Sequence, residues 1–471
     1  MRELKKLCAG AALFSMPNTE ALALASALVA DPPDGFLDAV PGARTLLLLY
    51  DPDFLDPAQL RLPARSEAPR PRVVRLQARY DGADLEEVAR ELGISRDEAI
   101  RRHVEAEHVV SFLGFAPGFA YMTGGFSVPR LSTPRVRVPT GSLAIADGYT
   151  GIYPAETPGG WRLLGRVAVR MFDPSAIPPA LLRPGDHVLF EPVDSLEEIP
   201  QPEPVPGLAG VPLLRVVAPG TFTSVQGGPR YGLLSSGVPA GGAMDLAALA
   251  SANRAAGNAP LAPALEITVA GPQLEALADV RVALGSEVRE LARGDSLQTG
   301  SVRRGVRAYL AVEGGLARPL PGEPTRALRR GELLHRASGA APRGARPPAA
   351  PARWGEPAIE VRAHRGPQWD FFASPDDFFD REYRVSPSSD RRGLRLQGPA
   401  LALACRSDIP PEGTAPGAVQ VPRDGLPIVL GPDRPVTGGY AKIATVVPAD
   451  FPLLAQARPG TAVRFVEEPW T

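Results

Sequence analysis

Lysine is almost missing from this chain. Lys5, Lys6 and Lys442 are the only ones among 51 basic residues, so arginine carries nearly all the positive charge. Cysteine is as scarce: Cys8 and Cys405 lie at opposite ends, neither in a metal-like spacing. That leaves no cysteine metal cluster and makes a reducing, cytoplasmic compartment the economical expectation. No apolar run approaches the roughly 18 residues that a membrane-spanning helix needs. Arg2, Lys5 and Lys6 precede the apolar Leu7 to Phe14, a superficial likeness to a signal peptide, but no small-residue cleavage site follows. The net charge of −1 gives no electrostatic reason to bind nucleic acid or an anionic membrane. There is no Gly-x-x-x-x-Gly-Lys-Ser/Thr loop for a P-loop nucleotide site and no Gly-x-Gly-x-x-Gly opening a helix after a strand. No Met-Lys-Met stands ready to carry biotin.

What is present is punctuation. Gly 48 and Pro 54 interrupt apolar runs without forming repeats, the pattern of many short strands and turns. A mainly β protein with an α+β N-terminal subdomain is expected, and 471 residues suggest two to four domains. Glu20 to Ala30 reads as a helix stopped by Asp31-Pro-Pro, Thr45 to Tyr50 as a buried strand, and Val73 to Tyr80 as an alternating one. From Ser111 to Met122, three phenylalanines and a tyrosine alternate with Gly114, Pro117 and Gly118. That composition makes a sharp aromatic-lined turn or a rigid pocket wall with free backbone N–H groups.

Asp84 to His103 looks like a helix-turn-helix, with Asp84 and Glu87 as a capping box, Gly93 as a stop and Ser95 with Glu98 starting again. Between Asp84 and His108, Asp84, Glu86, Glu87, Glu91, Asp97, Glu98, Glu105 and Glu107 outnumber Arg90, Arg96, Arg101 and Arg102, so phosphate would be repelled. His103 and His108 are a poor metal pair, since five positions apart they diverge on a helix and on a strand alike. Lys442, the one lysine in the body of the chain, follows the Thr437-Gly-Gly-Tyr turn.

Residues 1–195 resemble the B component of 5-oxoprolinase, the KipI-like family also called allophanate hydrolase subunit 1. The match rests on Val40-Pro-Gly-Ala-Arg-Thr-Leu-Leu, His103, Gly114-Phe-Ala-Pro-Gly-Phe-Ala-Tyr, Thr133-Pro-Arg-Val-Arg-Val-Pro-Thr-Gly-Ser, Thr150-Gly-Ile-Tyr-Pro and Pro158-Gly-Gly-Trp-Arg-Leu-Leu-Gly-Arg. Residues 213–468 resemble the C component, the KipA-like family (allophanate hydrolase subunit 2, biotin-dependent carboxyltransferase family). Here the match runs through Val225-Gln226, Gly237-Val-Pro, Gly242-Ala-Met-Asp, Ala252-Asn, Gly257-Asn, Leu265-Glu-Ile-Thr, Arg307-Ala-Tyr-Leu-Ala-Val, Ser389-Asp-Arg, Gln420-Val-Pro and Gly438-Gly-Tyr. The chain is therefore similar to a B–C fusion.

The resemblance implies cyclophilin-like β-barrels in both halves. The expected division is an α+β subdomain over 1–82, a KipI-like barrel over 83–195, a linker over 196–212, a first KipA-like β subdomain over 213–338, a second linker over 339–357, and a second β subdomain over 358–471. It also implies ATP-dependent opening of 5-oxoproline to glutamate together with a partner, a separate 5-oxoprolinase A-like protein. ATP is the implied cofactor, with Mg2+ and a homo-oligomer left open. The alternatives are a carboxyltransferase-like activity on a urea-type amide and a catalytically weakened regulatory protein.

The family's pocket carries over to His103, Phe115, Pro117, Gly118, Phe119, Arg137, Thr150, Tyr153, Gly159 and Gly160 in the first half. In the second it maps to Gln226, Arg230, Met244, Asp245, Asn253, Asn258, Glu266, Ser389, Asp390, Arg391, Gln420, Asp433, Arg434, Tyr440 and Lys442. The arginines and Lys442 suit phosphate or carboxylate, and Asp245, Glu266 or Asp390 suit a base or its orienter. Each carboxylate can equally be a structural ion pair. The chain departs from the family at Gly227, Tyr149, His108, Pro435 and the shortened Pro319 to Leu328, mostly at polar positions of the second half.

Overall fold

The computed structural model describes residues 3–60, 71–197, 210–337, 356–405 and 408–470. Most of both expected linkers lies outside these residues. Among the described residues, no helix is long and apolar enough to cross a membrane.

The N-terminal subdomain is an antiparallel sheet of four strands in the order Glu3–Cys8, Ala11–Ser15, Thr45–Tyr50 and Phe36–Pro41. Thr45–Tyr50 is central and buried at every position. Its unbroken leucine run follows from having both faces covered. Leu46, Leu48 and Tyr50 pack with Leu24 and Leu28 of the helix Asn18–Ala30. Leu47 and Leu49 pack the other way, with Ala415 and Val436 of the second half.

The first barrel closes through seven strands: Tyr149–Ile152, Ala120–Met122, His108–Leu113, His187–Pro192, Val73–Arg79, Arg162–Val167 and Ser142–Ala146. Val73–Arg79 runs parallel to His187–Pro192, so the barrel takes a stave from before the expected boundary at 83. The helices Leu85–Glu91 and Arg96–Glu105 cover this barrel, burying Leu85, Val88, Ala89 and Ala99 in its core. Ser95 Oγ accepts from Glu98 N–H as a cap should. Asp84 does not make its expected capping bond. Its carboxylate instead accepts from Leu163 N–H and from Arg135, both at 2.6 Å, so tertiary partners win over the local one.

The second half begins with two sheets packed face to face. One holds Ser296–Gln298, Gln273–Ala276, Pro212–Ala218 and Leu333–His335; the other holds Phe222–Gln226, Ala264–Thr268, Arg307–Val312, Val280–Leu284 and Glu287–Leu291. The helix Leu246–Ala255 packs on the second sheet through Leu249 and Ala252 against Tyr309 and Ala283. A second seven-strand ring follows: Ala358–Arg365, Ala462–Glu467, Glu382–Val385, Gly393–Gln397, Ile428–Leu430, Ala418–Val421 and Thr437–Val446. Pairing of Ala363 with Val446 closes it, and Asp408–Gly413 adds to Thr437–Val446 outside the ring. Both halves thus contain a closed barrel, as the resemblance implied.

Candidate active site at the junction of the two halves

The turn between His108–Leu113 and Ala120–Met122 is where the halves meet. Phe115 and Gly118 take left-handed backbone angles, φ 60° and 79°, which fold the Phe-Ala-Pro-Gly segment back on itself. Gly118 N–H donates to Ser236 O at 3.0 Å across the junction. Gly114 lies against the second barrel so closely that a Cβ on it would stand 1.7 Å from Thr437 Oγ1. Only glycine fits there. Pro117 belongs to the same turn.

Behind the turn is an aromatic wall. Phe119 meets Tyr153 and Trp161 edge-to-face at 5.3 and 5.2 Å, and Phe115 meets Phe119 at 5.3 Å. Gly159 makes room for the Tyr153 ring, since a Cβ would stand 2.2 Å from its hydroxyl, and Gly160 lies near Pro134. Burial pushes the Tyr153 phenol up to about 12. Arg137 stands apart, exposed and paired with Glu156 at 2.6 Å.

His103 and Thr150 lie in the barrel interior. His103 contacts the Tyr80 hydroxyl at 2.9 Å and Thr150 Oγ1 at 3.2 Å, with 1% of its surface exposed. Its ring is 4.5 Å from that of His108, contrary to the expected divergence. The helix ends at Glu105 and a strand begins at His108, so the chain turns between them. His108 Nε2 donates to His103 O at 2.8 Å. Burial, with the His108 charge second, holds His103 well below the usual imidazole range.

On the second-half side of Thr437 lies a buried polar set. Lys442 Nζ is 2.8 Å from Glu412 Oε1 and 3.4 Å from Tyr440 O. Gln368 bridges the pair, donating to Glu412 at 2.9 Å and accepting from the Lys442 backbone at 3.1 Å. Gln420 faces Lys442 in the ladder. Gln420 Nε2 is a buried polar atom with no hydrogen-bond partner among the described residues. Such atoms are uncommon and mark places where a ligand could supply the missing bond.

A second charged set centres on Arg391. Its guanidinium reaches Glu266 at 2.6 Å, Gly242 O at 2.6 Å, and both oxygens of Asp433 at 2.8 and 3.0 Å. Glu266 also accepts from Tyr309 at 2.7 Å and from Met244 N–H at 2.8 Å, so its lone pairs are occupied. Arg230 and Arg318 flank this set and hydrogen-bond only to backbone carbonyls, Pro319 O at 2.7 Å and Gly228 O at 2.6 Å. Burial, reinforced by the charges of Arg230 and Arg391, draws Arg318 down to about 9.

Other expected site residues serve local structure. Asp245 caps the helix Leu246–Ala255 through Ala248 N–H and accepts from Gln456 at 2.9 Å, while burial raises its carboxyl. Asn253 and Asn258 clamp the following loop, donating to Ala262 O and Val312 O, each at 2.8 Å. Ser389 and Asp390 hold the turn into Gly393–Gln397. Gln226 Nε2 bonds Ser224 at 3.2 Å. Arg434 lies beyond the Arg391 set, in a separate cavity. Tyr440 is 37% exposed.

Sequence reasoning passed over Glu412, Gln368, Thr437 and Arg318. The solitude of Lys442 was a usable signal, because a lone buried lysine needs an acid. Glu412 hides in Pro410-Pro411-Glu412, which reads as a loop.

Two closed seven-strand barrels meet at a glycine turn, and the family models give the class: a carboxyltransferase-type domain. Carboxyltransferase subdomains C and D match residues 7–182 and subdomains A and B match 236–467. The chain belongs to the family of the 5-oxoprolinase B and C components, with both arranged in one polypeptide. It is 34% identical over 285 residues to the 5-oxoprolinase C component of Escherichia coli K12, spanning 54% of this chain and 91% of that one. To the 5-oxoprolinase B component of Escherichia coli O157:H7 it is 39% identical over 169 residues, 33% of this chain and 78% of that one. The crystal structure of TTHA0988 superposes with a TM-score of 0.85 at 36% identity, covering 97% of this chain and 99% of that one.

Proposed function

We propose that this chain is the fused B and C component of an ATP-dependent 5-oxoprolinase, opening the lactam of 5-oxoproline to glutamate with a separate A component. Relatives named as the B and C components match the first and second halves. The observation that carries the reading is the pair of guanidinium groups, Arg230 and Arg318, which hydrogen-bond to backbone carbonyls and, among the described residues, form no direct ion pair with a carboxylate. They lie beside the Arg391–Asp433 pair in a chain whose halves meet at the Gly114 turn. That is a fit for phosphate oxygens, since guanidinium forks bind them bidentately. ATP, when bound, supplies the phosphoryl group that makes the lactam oxygen a leaving group. Arg230 and Arg318 would hold its phosphates, and Arg391 is fixed by Glu266 and Asp433 as their support. Lys442, oriented by Glu412 and Gln368, would polarise a substrate carbonyl or bind the substrate carboxylate, with Gln420 and Thr437 as neutral hydrogen-bonding groups. The aromatic wall would pack against the lactam ring and leave its carbonyl open to the water that opens it.

The test is 5-oxoproline-dependent ATP hydrolysis by the purified chain with an A-component partner. Arg318→Ala and Lys442→Met are each expected to lower turnover by roughly a hundredfold or more, the usual cost of removing one preorganised donor. No turnover with a partner competent in its own native complex would sink the proposal. Wild-type rates in both variants would remove those residues from the site. A carboxyltransferase-like reading is favoured by urea amidolyase of Lachancea kluyveri, 30% identical over 305 residues, although this chain covers 17% of that protein. Transfer of a carboxyl group from carboxybiotin to urea by the purified chain, measured without ATP, separates the two.

A further inference from the structure

A cavity of about 870 Å³ opens between the N-terminal sheet, the helix Leu246–Ala255 and the second barrel. None of its lining residues belongs to the Gly114–Phe119 turn or to the Lys442 set. Pro229 and Tyr231 line it, whereas Arg230 between them sends its guanidinium to Pro319 O. Alternate residues of one extended segment thus serve two different sites. The wall is largely apolar, built from Leu37, Leu49, Ala247, Ala250 and Phe451.

Arg434 also lines this space and is 2% exposed. Its Nε donates to Thr414 O at 2.9 Å, while Nη2 is buried without a hydrogen-bond partner. Asp433, its chain neighbour, has both oxygens on Arg391. Among the described residues Arg434 forms no ion pair. Asp51, Asp53 and Arg254 also line the cavity, and among the described residues neither carboxylate pairs with Arg434. Burial pushes the Cys8 thiol up to about 12 and raises the Tyr231 phenol, so both are uncharged at neutral pH. Burial also draws Arg434 itself down to about 10. A buried cation without a counter-charge is costly, and natural proteins keep one where an anion compensates it.

We propose that this cavity binds a small apolar monocarboxylate, its carboxylate on the Arg434 guanidinium and its body against Leu49 and Ala250. One guanidinium neutralises one negative charge. Asp51 and Asp53 face the same cavity and Arg254 is the other cation of its lining, so a singly charged carboxylate is favoured over a phosphate dianion. The volume is within the range of cavities that enclose small organic ligands. The inference does not depend on the 5-oxoprolinase reading.

Isothermal titration of the full-length chain with octanoate tests it, with 1-octanol and inorganic phosphate as controls. Octanoate is expected to bind once per chain, at least about tenfold more tightly than 1-octanol. Arg434→Met should erase that preference, and Ala250→Trp, which puts a bulky ring into the apolar wall, should weaken binding of both. Circular dichroism reports whether each variant is folded; the octanoate-to-octanol ratio of the wild-type chain tests the proposal independently. Equal binding of octanoate and octanol, tighter binding of phosphate, or unchanged binding in folded Arg434→Met or Ala250→Trp would overturn it.

Discussion

Lys442 and Glu412 form a buried ion pair in which each charge depends on the other. With side chains 1% and 7% exposed, neither can turn to water if its partner is removed. Lys442→Met would leave Glu412 with Gln368 as its remaining neighbour, and loss of one member of such a pair costs about 3–5 kcal/mol. Adding Glu412→Leu should restore most of that, measured by urea denaturation. A double variant as unstable as the single would show that the pair is not electrostatically coupled. His103 and His108 give a pH signature instead. Burial lowers both, and the His108 charge adds to the effect on His103. Unfolded imidazoles take up protons near pH 6.5, the folded ones only further down, so below about 6.5 the unfolded state binds more protons. The stability these residues contribute is complete above that pH and falls as the solution is acidified toward their depressed folded values. The urea midpoint should therefore drop between pH 7.5 and 5.5, and the drop should be shallower in His103→Gln. Equal slopes would count against buried neutral imidazoles.

The Gly114–Phe119 turn acts as a joint, and its glycines are shaped by the surface opposite. Gly114→Ala would drive a methyl group into Thr437, an overpacking of about 1–3 kcal/mol. Thr437→Ala should recover part of that loss, because the two positions share one contact and are not additive. Thermal unfolding of the two single variants and the double checks this. If Gly114→Ala melts like the wild type, the close approach is not a constraint on the fold. The aromatic and glycine content of this turn was legible in the sequence, which left open a packed turn and a pocket wall. The surface it packs against was not legible, because Thr437 lies more than 300 residues on and its partner signal is only the absence of a side chain at Gly114. The same division holds elsewhere. The buried run Thr45–Tyr50 could be read from its leucines, but not that its two faces serve two different layers. Ser95 could be read as a cap because its bond is local. Asp84 could not, because Leu163 N–H and Arg135 reach it through the barrel. The Val73–Arg79 stave was visible as a strand, whereas its parallel pairing with His187–Pro192 depends on barrel closure.

At the scale of the molecule, the N-terminal sheet binds the two halves together. Asp38, buried at 2% exposure, accepts from Gly232 and Leu234 N–H of the second half at 2.6 and 3.2 Å. Ala43 N–H donates to Pro411 O at 2.8 Å, and a Cβ on Gly413 would stand 2.5 Å from that of Leu47. These contacts join surfaces that are apolar, satisfied and close-packed, the properties of a permanent interface. The relatives that match each half are named as separate components, so the covalent connection should not be what holds the halves in place. Residues 1–197 and 210–471 produced as two chains in one cell are therefore expected to co-purify as a one-to-one complex on size exclusion. Asp38→Ala in the first piece should weaken that complex, since it leaves the buried Leu234 N–H unpaired at about 1–3 kcal/mol and removes the bond from Gly232. It should leave the secondary structure of the isolated first piece unchanged, because within that piece it loses only the local bond from Ala39 N–H. Two pieces that elute apart would mean that the connection, not the interface, keeps the junction assembled, and with it the Lys442 and Arg318 groups opposite the Gly114 turn.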